Sequence, residues 1–236
     1  MSTDSSEADD NYLEDFPAHG RRLPPPVREA AGLILAVILL VVVYYHGRIA
    51  ALGPRVQLFG WFGINFVVLF GVPALVIKLA WRESLSSYGL RWGLARVWGK
   101  YALFFGVVVV PVMVIAGYMP SIRQYYPGYD WARFGLGAGL LSILGWGVYF
   151  FAWEFFFRGF LLNLLALRYG AFAIIVQMVP FVMMHFAKPE LETFAAVIAG
   201  LALGIMCYHG KSFLGAWLLH WGAATLLDQI VIWHGS

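Results

Sequence analysis

The sequence of 236 residues contains few charged residues and a single cysteine. Charged side chains make up 12% of the chain, about half of the ~25% that is usual in soluble domains. Hydrophobic residues make up 61%, and a water-soluble chain of this length has too little interior to bury them. Intrinsic disorder requires the opposite composition. We therefore predict an integral membrane protein.

The low cysteine content restricts the kinds of site that the chain can form. Cys207 has no second cysteine to pair with, which excludes an intramolecular disulfide and a cysteine-rich zinc or iron–sulfur site. The His-Glu-x-x-His pairing of helical zinc proteases is also missing from the sequence. We predict no metal and no other cofactor.

Acidic and basic residues are distributed unevenly along the chain. Residues 1–28 hold six acidic and three basic residues, whereas the remaining chain holds seven acidic and thirteen basic ones. Basic loop residues commonly set the orientation of a membrane protein, so they do not indicate nucleic-acid binding. We predict a polar, disordered tail over 1–28 and a membrane domain over 29–236. Nine basic residues against five in the alternate loops favour a cytoplasmic amino terminus.

Seven apolar stretches have roughly the ~20 residues that a helix needs to cross a bilayer. The pattern predicts an all-α, polytopic membrane protein with about seven transmembrane helices. The fourth stretch is too long for one straight crossing, and its glycine-rich beginning near Gly135–Gly147 predicts a broken or tilted start. The stretches lie at about 30–46, 57–80, 101–118, 138–167, 171–187, 193–208 and 212–233.

Ionisable residues within these stretches are candidates for function, because charge is costly inside a bilayer. Glu154, His185 and His220 lie on three different predicted helices. At a rise of about 1.5 Å per residue, Glu154 lies roughly 21 Å from the helix end near Arg168, and His185 roughly 22 Å from the helix start near Gly170. By the same rise, His220 lies roughly 14 Å from Lys211, on the same side of the membrane. This similar depth predicts that they meet, and a carboxylate with two imidazoles can perform general acid–base chemistry. A proton or cation relay is an alternative use of the same residues, although no internal repeat supports a transporter.

Three short motifs carry a resemblance to a known family. Glu154-x-x-x-Arg158-Gly159, Phe181-x-x-x-His185 and His220 resemble the motifs of the CAAX-protease and bacteriocin-processing membrane proteins. These are glutamic-type intramembrane endopeptidases related to the Ras-converting enzyme. The resemblance covers about residues 140–225 and looks closest to a bacterial myxosortase-like branch, which is associated with carboxy-terminal sorting signals.

The resemblance implies an intramembrane endopeptidase that cleaves a membrane-anchored protein or peptide. Glu154 and His185 would position and activate water, His220 would stabilise the oxyanion, and Arg158 would hold Glu154. The predicted location is the inner membrane of a bacterium. A structural ion pair between Glu154 and Arg158, four residues apart, is the simpler interpretation of those two residues and is compatible with catalysis.

Two positions depart from the family pattern. Trp153 stands where the family usually has a first glutamate, and Ala224 stands where its third motif usually has asparagine. Either Glu154 acts as the base, or the chain is a non-catalytic member of the fold that binds membrane peptides as a chaperone or immunity factor. Gln177 is a further candidate for contact with substrate, with interhelical packing as its alternative role. Glu192 is a candidate for the missing acid, with a surface pair to Lys188 as the alternative.

Overall fold

The computed structural model of the protein describes residues 25–46, 54–128, 130–133 and 135–234. These residues form helices and connecting turns, and no strand occurs among them. The all-α prediction is confirmed. Most of the predicted amino-terminal tail, residues 1–24, lies outside the described residues.

Nine helical elements follow one another along the described chain, and the second of them alternates between α and π geometry. Short 3₁₀ turns at Leu85–Tyr88, Asp130–Arg133 and Gly170–Phe172 lie in the connections. The elements are α1 (Pro25–His46), α2 (Pro54–Phe66, Val67–Gly71, Val72–Leu75 and Val76–Trp81 in succession), α3 (Ala95–Gly117), α4 (Pro120–Tyr125), α5 (Leu136–Glu154), α6 (Leu162–Tyr169), α7 (Ala173–Met183), α8 (Glu190–Gly210) and α9 (Leu214–His234).

Five helical stretches among the described residues are long and apolar enough to cross a membrane. The predicted polytopic architecture is therefore confirmed, and the seven predicted stretches all correspond to helices. The fourth and fifth are joined in one stretch, Leu136–Met183, and α9 is not among the five. The candidate spans are Pro26–Tyr45, Gly60–Trp81, Ala95–Gly117, Leu136–Met183 and Glu190–Gly210.

The glycines near the start of the fourth stretch predicted an irregular helix there, but the irregularity lies further along the chain. Helix α5 is unbroken from Leu136 to Glu154, and a π-helical segment, Phe155–Leu161, then connects it to α6. A π segment shifts the backbone hydrogen bonds by one residue and is often found at functional sites. The Asn163 side chain donates to the carbonyls of Arg158 and Gly159 at 3.0 and 2.7 Å, which satisfies acceptors at this irregularity.

The continuous helix from α5 through α6 is the centre of the bundle. Helices α2 and α9 pack on α5, and α7 and α8 contact the π segment. Phe155, Phe156, Phe157 and Phe160 on this segment are all fully buried. Helix α3 lies at the periphery and leaves most of its apolar side chains exposed, as expected for a surface that hydrocarbon covers.

Two charge pairs join α1 to the rest of the fold near the end of α6. Arg28 was predicted to end the polar tail, but it lies inside α1, is 2% exposed and pairs with Glu83. The Tyr88 hydroxyl donates to the same carboxylate at 2.6 Å. Arg168 pairs with Glu29 at 3.2 Å. Charges at the start of the first helix therefore contribute to tertiary packing.

The glycines of α5 predict a contrast in stability. A Cβ at Gly145 would lie 2.4 Å from the ring of Phe62, whereas a Cβ at Gly137 would meet no atom within 4 Å. Because overpacking a core costs about 1–3 kcal/mol, we expect Gly145→Ala to lower the free energy of unfolding by that amount. Gly137→Ala should leave it unchanged or raise it, since alanine is the better helix former. Unfolding in mixed micelles measures both, and equal effects would contradict the close α2–α5 packing.

Candidate active site

Glu154 is a fully buried carboxylate at the junction of α5 and the π segment. It is the last residue of α5, and its side chain is 0% exposed. Two groups lie next to it: the Arg158 guanidinium, one turn further along the chain, and the His220 ring from α9. A carboxylate without partners would be very unfavourable in such a place, so these two contacts are what make its burial possible.

Arg158 neutralises the charge of Glu154. Its Nη1 lies 3.2 Å from both carboxylate oxygens, and the geometry of a hydrogen bond is satisfied at Oε1. The guanidinium carbon lies 4.0 Å from the centre of the Phe181 ring, a cation–π contact. Within the described part of the chain, Nε and Nη2 of Arg158 have no hydrogen-bond partner. The i,i+4 ion pair expected from the sequence is thus present.

His220 makes the shortest contact to Glu154. Its Nδ1 lies 2.6 Å from Oε1 of the carboxylate, and its ring centre lies 4.1 Å from that of Phe150. If the carboxylate is ionised, Nδ1–H donates and Nε2 of a neutral ring carries a lone pair. A carboxylate that orients an imidazole in this way is the arrangement by which hydrolases prepare a histidine as a base. The His220 side chain is 18% exposed, more than that of its partner.

His185 is buried at the end of α7 and is oriented by the backbone. Its Nδ1 lies 2.7 Å from the carbonyl oxygen of Phe181. Because a carbonyl can only accept, Nδ1 carries the hydrogen, and in the neutral ring Nε2 is an acceptor. The Thr193 hydroxyl donates to the backbone carbonyl of His185 at 2.7 Å. The Phe181 carbonyl therefore orients the ring, and Thr193 of α8 ties down the backbone of His185.

Glu154, His185 and His220 come together around one phenylalanine. The Phe181 ring centre lies 4.7 Å from that of His185 and 6.2 Å from that of His220, and Arg158 lies on the same ring. Among the described residues, no hydrogen bond joins His185 to Glu154 or His220. From α5, the Trp153 ring lies 6.2 Å from the ring of His185.

Gln177 lies at a contact between two helices. Its amide nitrogen donates to the carbonyls of Ile174 and Gly200, at 3.0 and 3.1 Å. A Cβ at Gly204 would lie 2.9 Å from the same nitrogen, so α8 approaches α7 closely here. These contacts favour the packing role of Gln177. Among the described residues, no hydrogen bond joins Gln177 to Glu154.

Glu192 belongs to a second polar cluster, which we call the Glu192 cluster: Tyr126, Lys188, Glu192 and Asp228. The Tyr126 hydroxyl lies 2.8 Å from both oxygens of Glu192, and Lys188 pairs with the same carboxylate at 2.7 Å. The surface pair expected as the alternative for Glu192 is present, and Glu192 does not lie beside Glu154. Tyr126 was not anticipated, because it reaches α8 from a loop with no regular spacing.

Asp228 was also missed from the sequence, although a signal was available. It lies eight residues after His220 on α9, so the two share one helix face. Asp228 is 3% exposed and accepts a hydrogen bond from the Trp146 indole at 2.7 Å. Trp146 lies eight residues before Glu154 on α5. Trp146 and Phe150 of α5 therefore connect the Glu154–His220 pair to Asp228 of the Glu192 cluster. The Phe150 ring stacks on Trp146 at 5.5 Å.

Comparison with protein families identifies a match. Residues 135–226 match the family model described as type II CAAX prenyl endopeptidase Rce1-like. The matched segment contains Glu154, Arg158, His185 and His220, and it supports a CAAX-protease-like intramembrane endopeptidase fold. Comparisons with curated proteins and with solved structures gave no significant match.

The Glu154–Arg158 pair predicts strong coupling between the two residues. Removing one partner leaves a buried charge uncompensated, so we expect Arg158→Met to cost about 3–5 kcal/mol of unfolding free energy. The double variant with Glu154→Gln should cost less than the sum of the single variants, with a coupling of about 0.5–3 kcal/mol. Unfolding in mixed micelles measures the cycle. The partly exposed Lys188–Glu192 pair is the control and should couple by no more than about 1 kcal/mol; additive effects at Glu154 and Arg158 would contradict the buried pair.

Tyr126 predicts a pH dependence at the Glu192 cluster. Burial, and then the neighbouring Glu192 carboxylate, raise the pKa of Tyr126 well above its ordinary value of 10.0. The unfolded chain therefore releases this proton near pH 10 while the folded protein keeps it, so the stabilisation by the hydroxyl is complete below pH 10 and declines above it. We expect Tyr126→Phe to lower the free energy of unfolding at pH 8 by about 1–2 kcal/mol.

The difference between wild type and Tyr126→Phe should shrink as the pH rises from 10 to 11.5. Unfolding curves at a series of pH values measure it. The same substitution in a Glu192→Gln background is the control and should have a smaller effect. A difference that grows above pH 10 would contradict the bond between Tyr126 and Glu192.

Proposed function

We propose that the protein is an intramembrane endopeptidase whose general acid–base centre is the pair formed by Glu154 and His220. The observation that carries this proposal is the 2.6 Å contact between a fully buried carboxylate and a partly accessible imidazole. The contact lies within the segment that matches the CAAX prenyl endopeptidase model. A buried, oriented carboxylate–imidazole pair is a recurrent means of generating a base near neutral pH.

The geometry favours a division of roles that differs from the one expected from the sequence. Glu154 accepts from Nδ1–H of His220, so Nε2 of His220 is the atom available to take a proton from water. The water oxygen then bonds to the scissile carbonyl carbon, and the imidazolium is stabilised by Glu154. When the carbon–nitrogen bond breaks, Nε2–H returns its proton to the leaving amine. Arg158 offsets the charge of Glu154 throughout.

His185 holds the attacking water in this mechanism. Its Nδ1–H is committed to the Phe181 carbonyl, so Nε2 can accept a hydrogen bond from water but does not donate one in the neutral ring. The aromatic rings around it exclude bulk water and lower the local dielectric, which strengthens electrostatic interactions with the reacting groups. His185 is thus a positioning group for water, and His220 is the base.

The substrate class follows from the depth of the site. Glu154 lies in the interior of a helical bundle with an apolar surface, so we propose that a membrane-anchored protein or peptide is cleaved. A carboxy-terminal sorting tail in a bacterial inner membrane, with the enzyme's amino terminus cytoplasmic, is the form of this proposal that the motifs favour. A prenylated CAAX peptide is the form that the description of the matched family suggests.

A non-catalytic role in binding membrane peptides is the second candidate. It is favoured by Trp153, which occupies the position beside His185, and by Ala224, which offers no polar group one turn after His220. With both positions apolar or aromatic, a peptide could be bound without being hydrolysed. The two candidates predict different products from the same experiment.

Substitutions at the Glu154–His220 pair test the proposal. Wild-type protein in liposomes is incubated with a farnesylated peptide that ends in a CAAX sequence, and products are identified by mass spectrometry. In parallel, the termini of membrane proteins are compared between cells expressing wild type and Glu154→Gln. We expect both Glu154→Gln and His220→Ala to reduce cleavage by about 10²–10⁴-fold, and His185→Ala to reduce it less.

His209→Ala is the matched control, because this histidine lies at the end of α8 and stacks on Tyr101. It should cleave like wild type. Size-exclusion profiles must show that each variant is folded. Normal cleavage by folded Glu154→Gln would refute the assigned centre, and binding of the peptide with no new termini in any sample would favour the non-catalytic role.

A further inference from the structure

Trp153 contains a buried donor without a partner next to the proposed centre. Its side chain is 4% exposed, and within the described residues its indole N–H makes no hydrogen bond. A buried polar group left unpaired is unfavourable, and each such group in a folded protein calls for an explanation. A partner that binds from outside the chain is one explanation.

Other tryptophans of the same helices show that the fold normally satisfies this group. The Trp217 indole donates to the Gly147 carbonyl at 2.8 Å, and the Trp221 indole donates to the Ile143 carbonyl at 2.8 Å. Trp146 donates to Asp228 at 2.7 Å. Indoles between α5 and α9 thus find acceptors on the facing helix. Trp153, which faces α7, does not.

The surroundings of Trp153 are aromatic apart from one imidazole. Its ring packs on Tyr149 at 5.4 Å, Phe157 at 5.0 Å and Phe181 at 6.1 Å. The ring of His185 lies 6.2 Å away and nearly perpendicular, at 79°. The uncommitted Nε2 of His185 is an acceptor, so the two neighbouring rings carry one free donor and one free acceptor. A peptide group, with one N–H and one carbonyl, has the complementary pair.

We propose that the indole N–H of Trp153 donates a hydrogen bond to the carbonyl oxygen of the peptide bond bound at Glu154, His185 and His220. This inference rests on the proposed function and adds to it the group that binds the substrate oxygen. As water attacks, negative charge develops on that oxygen, and a donor fixed in advance stabilises it. A neutral indole supplies this donor without adding another charge to the buried centre.

The site needs such a donor because neither its two histidines nor Ala224 supplies one in the proposed mechanism. His220 receives a proton in the proposed mechanism, His185 accepts from water, and Ala224 carries no polar atom. Arg158 has two further N–H groups without partners, and it is the competing donor. Its guanidinium is paired with Glu154 and stacked on Phe181, whereas Trp153 lies directly against the histidine that holds the water.

Binding measurements with two matched peptides test the proposal without relying on turnover. The first probe is the farnesylated CAAX peptide, and the second is the same peptide with its scissile amide reduced to a methylene amine, which removes the carbonyl. Both are titrated into Glu154→Gln protein in nanodiscs, so that the amide peptide stays intact. The comparison is between this background and the same background with Trp153→Phe, which keeps an aromatic ring and removes the N–H.

We expect Trp153→Phe to weaken binding of the amide peptide about 3–10-fold, the range for one neutral hydrogen bond. Binding of the reduced peptide should not change. In ¹⁵N-indole spectra, the Trp153 resonance is identified as the one that disappears in Trp153→Phe. This resonance should move downfield when the amide peptide is added and should not move with the reduced peptide. Equal binding of the amide peptide by both proteins, or an equal loss for both peptides, would overturn the role of Trp153 and leave the proposed function standing.

Trp217→Phe is the matched control, because it removes an indole N–H that already has a partner. It should lower the melting temperature and leave the ratio of the two peptide affinities unchanged. Trp153→Phe should lower the melting temperature only through the cavity that the smaller ring leaves, since no hydrogen bond is lost in the free protein. Failure of the parent protein to bind either peptide would contradict both this role and the proposed function.

Discussion

The buried ion pair between Glu154 and Arg158 is the interaction on which the rest of the site depends. Two opposite charges can remain inside an apolar bundle only if they neutralise each other. The pair is four residues apart across the junction of α5 and the π segment. The same carboxylate then orients His220 from α9. One acidic residue therefore links the central helix to α9, which carries the proposed base.

The sequence predicted the parts of the fold and site that depend on regular helical geometry. Glu154 and His220 meet as their depths predicted, because α5 and α9 are regular up to these residues. The ring of His185 could not be placed from depth, since it lies where α7 ends and its direction is set by the Phe181 carbonyl. The π segment was not foreseen, because it begins at phenylalanines with no proline. Tyr126 contacts Glu192 from a loop, where spacing carries no information.

The two histidines lie near the same aromatic ring but have different hydrogen-bond partners. The Phe181 ring contacts both of them and Arg158, and no hydrogen bond joins the two histidines among the described residues. His220 is coupled to the carboxylate, while His185 is coupled to the backbone. The role of a histidine in such a site depends on what its Nδ1 is bonded to, because that bond decides what Nε2 can do. The order of motifs along the chain would not by itself distinguish the base from the group that holds the water.

The closed state of the centre implies that peptide binding must move side chains. Glu154 and Trp153 are buried, and His220 is the member of the centre with appreciable exposure. A groove of about 310 Å³ lined by Phe186, Lys188, Glu190, Thr193 and Phe194 lies at the loop after His185 and the start of α8. Lys188 belongs both to this groove and to the Glu192 cluster. From that cluster, the stacked rings of Trp146 and Phe150 lead to His220. Under the proposed function, a peptide that reaches the centre from this groove must displace aromatic rings, whereas the backbone bond that orients His185 can stay in place. Polar contacts and packed aromatic rings thus have separate places in this part of the bundle.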